Sequence, residues 1–134
     1  MNSLNEYVVL NFHVLLHKFC YILNEELNSN SKSGNAYMIF SNNNIKLRFI
    51  LDRDQIFLDL LSLHDKKNNW FSIGLIRNDI LNEGDFHDLI NEENISFLND
   101  KYELIERMFK KSKIENTIKS LKIQEKLRAK KLFG

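Results

Sequence analysis

The segment IKLRFILDRDQIFLDL, residues 45–60, constrains the fold more than any other part of the chain. Its two apolar runs meet at a charged DRDQ, which predicts a β-hairpin with Arg53 and Asp54 as the turn residues. In that register Arg48 lies opposite Asp59, and every apolar residue lies opposite another apolar residue. A shift by one residue would break the match on both faces, so the register is well specified. The predicted apolar pairs are Leu51–Ile56, Ile50–Phe57, Phe49–Leu58 and Leu47–Leu60.

The remaining pattern predicts an α+β fold. A small antiparallel sheet over about residues 36–63 is expected to pack against a long N-terminal helix and C-terminal helices. AYMIFS, residues 36–41, is rich in strand formers, and the following NNN suits a turn. Ser3 is the expected cap of the first helix, and Cys20 is placed on its apolar side as a buried thiol. Apolar side chains at helical spacing predict helices over residues 3–28, 72–82, 95–111 and 113–132.

Length and composition indicate one globular unit. A chain of 134 residues is most economically a single domain, expected here to span residues 1–134. No apolar run approaches the ~20 residues that a transmembrane helix needs. The N-terminal segment also lacks the basic start and the small-residue cleavage site of a signal peptide. With a single cysteine, these features predict a cytoplasmic protein.

The net charge of +1 conceals an asymmetry. Residues 110–134 carry nine Lys or Arg and two Glu, whereas the preceding residues carry ten basic and sixteen acidic side chains. The acidic stretch, residues 83–93, is either a solvated surface or a docking patch for a basic protein, and it is the first candidate for the contact surface. Its candidate contact residues are Glu83, Asp85, Phe86, Asp88, Glu92 and Glu93. The hairpin tip, which consists of Asp52, Arg53 and Asp54, is the second candidate.

The basic C-terminal helix, residues 113–132, suggests an alternative partner. Lysines and arginines bind phosphates, so a nucleic-acid-binding accessory protein is the alternative function. Nucleic acid remains the less favoured partner, because the helix carries no interleaved aromatic side chains that would stack on bases.

The sequence contains no evident catalytic or metal-binding constellation. His13 and His17 are four residues apart, but Val14 stands where a zinc HExxH motif has glutamate. His64 and His87 have carboxylates nearby in the sequence, but such proximity is common in polar loops. An enzyme that uses a His–Asp pair therefore ranks last among the possible functions. We therefore expect no catalytic residues, no metal and no cofactor.

The hairpin and the residues after it resemble a pattern of small immunity proteins. These proteins protect bacteria against toxins of contact-dependent growth inhibition and related polymorphic toxin systems. In the pattern, a strand with a Leu-Arg pair runs into D-R-G-Q, then an apolar strand, then a Trp–aromatic pair. The matching residues are Leu47, Arg48, Asp52, Arg53, Gln55, Trp70 and Phe71, and Asp54 stands where glycine is usual.

The resemblance implies an immunity protein that binds and blocks the C-terminal domain of a cognate toxin stoichiometrically. Such toxin domains are often nucleases. The pattern marks a fold more than an activity. It carries over no catalytic residues, and no binding residues, because these differ widely between members.

Overall fold

The computed structural model describes residues 3–27 and 35–134, in which it contains four helices and one five-stranded sheet. The sheet is an antiparallel meander with strand order β1-β2-β3-β4-β5, so the predicted α+β class is confirmed. The elements are α1 Leu4–Lys18, β1 Ile22–Leu27, β2 Ala36–Ser41, β3 Ile45–Asp52, β4 Gln55–Ser62, β5 Phe71–Ser72, α2 Ile73–Leu81, α3 Glu92–Met108 and α4 Ile114–Phe133.

The hairpin of β3 and β4 has the predicted register at every position. Arg53 and Asp54 both have positive φ, at 51° and 66°, as a two-residue turn of this hand requires. Opposite each other on the strands, Arg48 Nη2 and Asp59 Oδ2 are 2.8 Å apart.

One face of the sheet forms the core. Alternate residues of β3 and β4, such as Leu47, Phe49 and Leu58, are fully buried there. The ring of Phe12 on α1 lies 4.9 Å from that of Phe49, and apolar residues of α2, α3 and α4 belong to the same buried cluster. We call this side of the sheet the covered face.

The first helix is shorter than predicted. Ser3 caps α1 by accepting a hydrogen bond from Glu6 N–H at 3.1 Å, as expected, but the helix ends at Lys18. Residues 22–27, predicted to be helical, form the edge strand β1. A continued helix would place Tyr21 nine residues, about two and a half turns, beyond Phe12 and so on its opposite side. The turn instead buries Tyr21 and brings its hydroxyl within 2.5 Å of that of Tyr102.

The prediction for Cys20 is also wrong. Cys20 lies in the turn between α1 and β1 with φ of 60°, and its side chain is exposed. It therefore cannot occupy the apolar side of the helix, which has already ended. Residue 28, the last residue of the predicted first helix, lies outside the described residues.

The other predicted helices are confirmed with small shifts in their ends. Ser72 caps α2, accepting a hydrogen bond from Leu75 N–H at 3.3 Å. The helix α3 begins three residues before the predicted start, because Asn91 caps it through Asn94 N–H at 2.9 Å. Within the described ranges, no helix combines the length and apolar character that crossing a membrane requires.

Candidate functional site

The second face of the sheet is open in the part of the chain that the structure describes. Cross-strand pairing places five apolar side chains in one row across it, from β1 to the segment that pairs with β4. At the usual strand spacing this row is about 20 Å long. We call the row the apolar ladder; it consists of Leu27, Tyr37, Ile50, Phe57 and Leu89.

The ladder is accessible along its whole length. Leu27 and Leu89 at its ends are 52% and 40% exposed, and the three middle residues are partly exposed. A shallow groove of about 490 Å³ lies over its β1 half, between Leu27, Tyr37 and Ile50. A row of apolar side chains beside a groove can accept apolar side chains of another molecule.

A second row of side chains with a charged centre lies on the same face, two residues along each strand from the ladder. The Arg48 guanidinium packs 4.1 Å from the centre of the Trp70 ring, and it also forms the ion pair with Asp59. Stacking on the ring and pairing with the carboxylate hold Arg48 against the sheet. Two of the residues that carry the family resemblance, Arg48 and Trp70, therefore contact each other on the open face.

Carboxylates surround the ladder. On β1, Glu25 is exposed on this face, and Asp52 and Asp54 are exposed at the hairpin tip beyond Ile50. Glu25 and Asp52 also line the groove. The second predicted contact site, the hairpin tip, thus lies beside the inner part of the apolar ladder, just beyond Ile50 and Phe57.

The acidic stretch lies on the same face of the sheet, next to β4 and away from β1. Leu89 pairs with Phe57, and Ile90 N–H donates to the Ile56 carbonyl at 2.8 Å. The structure therefore brings the two predicted sites, the hairpin tip and the acidic stretch, to the same end of the open face.

Most carboxylates of the acidic stretch are paired within the chain. Arg77 on α2 holds Glu83 through two hydrogen bonds of 2.8 and 3.1 Å. On α4, Arg128 lies 3.3 Å from Asp88, and Lys131 pairs with Asp85. These contacts fix the stretch to the body and neutralise part of the charge that the sequence predicts for docking.

Arg77 is a residue that the sequence analysis missed. It is buried to 8% exposure, and its Nη1 donates to the side-chain oxygen of Asn94 at 3.1 Å. Asn94 in turn donates to the carbonyls of His87 and Leu89 at 2.6 and 2.7 Å. The signal was a lone arginine in the apolar helix α2, which needs carboxylate partners when it is buried.

These pairings shift the ionisation of the groups involved. The hydrogen bond from Arg77 lowers the pKa of Glu83, and the one from Lys131 lowers the pKa of Asp85. The same bond with Glu83 raises the pKa of Arg77. All three groups are therefore charged at neutral pH and hold the stretch in place.

The remaining predicted contact residues differ in how free they are. Phe86 is partly buried and packs against the core cluster, so it does not project as an anchor. Glu92 and Glu93 are exposed in the first turn of α3, and Glu93 lies 3.7 Å from Arg77. Glu92 makes no ion pair among the described residues.

The histidines are spread over the surface. His13 bonds through Nδ1 to the Val9 carbonyl at 2.8 Å, inside its own helix. Among residues 3–27 and 35–134, no group of three or more His, Cys, Asp or Glu side chains is placed to hold a metal ion.

Comparison of the chain with protein-family models, with curated proteins and with solved structures finds no match.

Proposed function

We propose that this protein is an immunity protein, which binds the toxic domain of a cognate bacterial toxin stoichiometrically and blocks it. The observation that carries the proposal is the apolar ladder with carboxylates around it. At the usual strand spacing of about 4.8 Å, the ladder is about 20 Å long. An apolar centre with a polar rim is the usual composition of a protein-binding surface. The resemblance over residues 47–71 supplies the class of partner.

The charges around the ladder favour a basic partner. Glu25, Asp52 and Asp54 carry no ion pair within the described residues, whereas Asp59 is held by Arg48. Nuclease domains bind a polyanion, so their substrate surfaces are basic. A carboxylate rim would speed the encounter with such a surface and fix its orientation.

The binding surface proposed here combines the two predicted sites. The hairpin tip, which consists of Asp52, Arg53 and Asp54, lies beside the ladder, just beyond Ile50 and Phe57. In the acidic stretch, Glu92 remains unpaired among the described residues and Glu93 is held only loosely by Arg77, while Glu83, Asp85 and Asp88 serve mainly to hold the stretch on α2 and α4. The partner would therefore cover the open face and its acidic edges.

The test is a calorimetric titration of the purified chain with the toxin domain encoded immediately upstream of its gene. We expect one-to-one binding with a dissociation constant below about 1 μM, and protection of cells that express the toxin. Absence of binding at micromolar concentration would overturn the proposal.

A paired substitution locates the surface. Replacing Tyr37 and Ile50 together by alanine is expected to weaken binding at least about tenfold, because it removes the centre of the ladder. The control replaces two residues of α1 by alanine. These are Leu10 and Val14, whose exposed fractions are 73% and 66%. Equal weakening by both pairs would show that the toxin does not bind the open face.

A further inference from the structure

The last helix, α4, presents one side to the body and a different one to solvent. Towards the body, Leu121 is fully buried, Gln124 accepts a hydrogen bond from Asn78 at 2.7 Å, and Arg128 donates to Ser72 at 3.1 Å. These positions lie three or four residues apart, so they fix the rotation of the helix about its axis.

The opposite side carries what we call the lysine stripe. Its members follow each other at intervals of three or four residues and are all exposed. They are Lys119, Ile123, Lys126, Lys130 and Phe133, with Leu127 beside them. Arg128 and Lys131, which the sequence analysis counted with the basic residues of this helix, point to the body and pair with Asp88 and Asp85.

The stripe is both cationic and apolar. Lys119, Lys126 and Lys130 make no ion pair within residues 3–27 and 35–134. Between residues 119 and 133 the single carboxylate is Glu125, and Lys122 neutralises it at 3.1 Å. Ile123, Leu127 and Phe133 are 58%, 50% and 87% exposed, so the helix leaves apolar side chains among its lysines in water.

This combination distinguishes between anionic partners. The phosphates of a nucleic acid would accept the lysines, but aliphatic side chains gain nothing beside phosphates, and the stripe offers one aromatic ring for stacking. An anionic lipid surface uses both parts of the stripe. The lysines reach the headgroups, and the apolar side chains enter the boundary of the acyl chains.

We propose that α4 lies flat on anionic phospholipid surfaces through the lysine stripe, with Ile123, Leu127 and Phe133 inserted. This contact shares no residue with the apolar ladder, because the stripe lies on the side of α4 opposite to Leu121 and Arg128, which face the body. The protein would therefore bind a membrane surface peripherally, with its open face free for a protein partner.

The test is co-sedimentation of the full chain with vesicles. Binding is expected to vesicles that contain phosphatidylserine, to be weak with pure phosphatidylcholine, and to fall as salt is added. Replacing Lys119, Lys126 and Lys130 together by glutamine should weaken binding by about fivefold for each lysine. The matched control replaces Lys66, Lys67 and Lys110, which are exposed elsewhere, by glutamine and so changes the net charge equally.

A second variant separates lipid from nucleic acid. Ile123→Ser with Leu127→Ser keeps every charge and, because both side chains are at least half exposed, should leave the thermal midpoint within a few degrees. It should weaken vesicle binding about tenfold or more. A duplex DNA and a single-stranded RNA oligonucleotide serve as the comparison ligands.

Three outcomes would overturn the proposal. The first is no binding to phosphatidylserine vesicles at low salt. The second is equal loss of binding in the lysine variant and its matched control. The third is tighter binding to either oligonucleotide that depends on the lysines and not on Ile123 and Leu127, which would assign the stripe to nucleic acid.

Discussion

The two faces of the sheet carry similar apolar side chains in different states. Phe49 and Ile50 are neighbours in β3, yet Phe49 is 0% exposed while Ile50 remains partly exposed. Helices bury the first face. On the second face the apolar ladder stays accessible, and the part farther from the hairpin tip is covered, where Trp70 lies on Arg48 and Leu61 is 4% exposed. The covered face therefore supplies stability, whereas the open face keeps apolar side chains available for recognition.

Truncation on the covered face should have the largest effect. Phe49→Ala is expected to lower the free energy of unfolding by about 3–5 kcal/mol, because the cavity would lie among well-packed rings. The rings of Phe12 and Phe40 are 4.9 and 6.0 Å from that of Phe49. Urea unfolding followed by circular dichroism measures the loss. A loss under about 1 kcal/mol would mean that the covered face does not hold the fold together.

The pH dependence of stability at alkaline pH tests the burial of Tyr21 and Tyr102 in the core. Burial raises the pKa of Tyr102 from 10.0 to about 12, and burial raises that of Tyr21 as well. Stability is complete below pH 10, where both states hold their protons. Above it the unfolded tyrosines ionise while the folded ones do not, so stability should fall by about 1.4 kcal/mol per pH unit for each tyrosine.

Thermal unfolding between pH 9 and about 12 measures this slope, and Tyr21→Phe should make it shallower because one of the two groups is removed. Tyr37→Phe, on the open face, controls for the loss of a hydroxyl. An unchanged slope in Tyr21→Phe would contradict the assignment.

On the open face, Arg48 should matter most for stability. Arg48→Ala removes the ion pair with Asp59 and the contact with the Trp70 ring, and should cost about 1–2 kcal/mol. Trp70 fluorescence should change together with stability, because the cation leaves the ring. Arg53→Ala at the exposed hairpin tip is the control, and a similar cost there would show that the Arg48 contacts contribute little.

Ile50→Ala is expected to have the smallest effect on stability. It gives the most direct comparison of the two faces, because Ile50 is the neighbour of Phe49 in β3. A partly exposed isoleucine should contribute less than a fully buried one, about 1 kcal/mol, to the free energy of unfolding. If the protein has the proposed function, the same change should weaken toxin binding several-fold. A stability loss close to that of Phe49→Ala would show that the open face is part of the core.

The hairpin was predictable because its information is local. Arg48 and Asp59 are eleven residues apart, and a register shift would mismatch both faces at once. The other face of β3 and β4 was visible in the same alternation, since Ile50 and Phe57 occupy it. What the sequence did not indicate was that β1 and the segment around Leu89 would extend the apolar row on that face.

The strand β1 could not be recognised from residues 22–27 alone. Its state depends on pairing with β2 and on the contact of Tyr21 with Tyr102, which lies 81 residues away in the sequence. The ion pairs of the acidic stretch are equally distant, with Asp85 and Lys131 separated by 46 residues. From the charge asymmetry we expected the acidic part and the basic part of the chain each to attract an outside partner. In the structure, some of the charges of the two parts pair with each other instead.

The edge strand β1 determines how this molecule can meet another. A bulge between Leu23 and Glu25 interrupts its regular pairing, and two adjacent glutamates follow. Bulges and charges discourage a further strand from adding to an edge, and at the opposite edge β5 is only two residues long. A partner therefore encounters side chains on the open face and not a backbone edge. Since single substitutions replace side chains but leave backbone hydrogen bonds unchanged, specificity at such a surface can diverge one residue at a time.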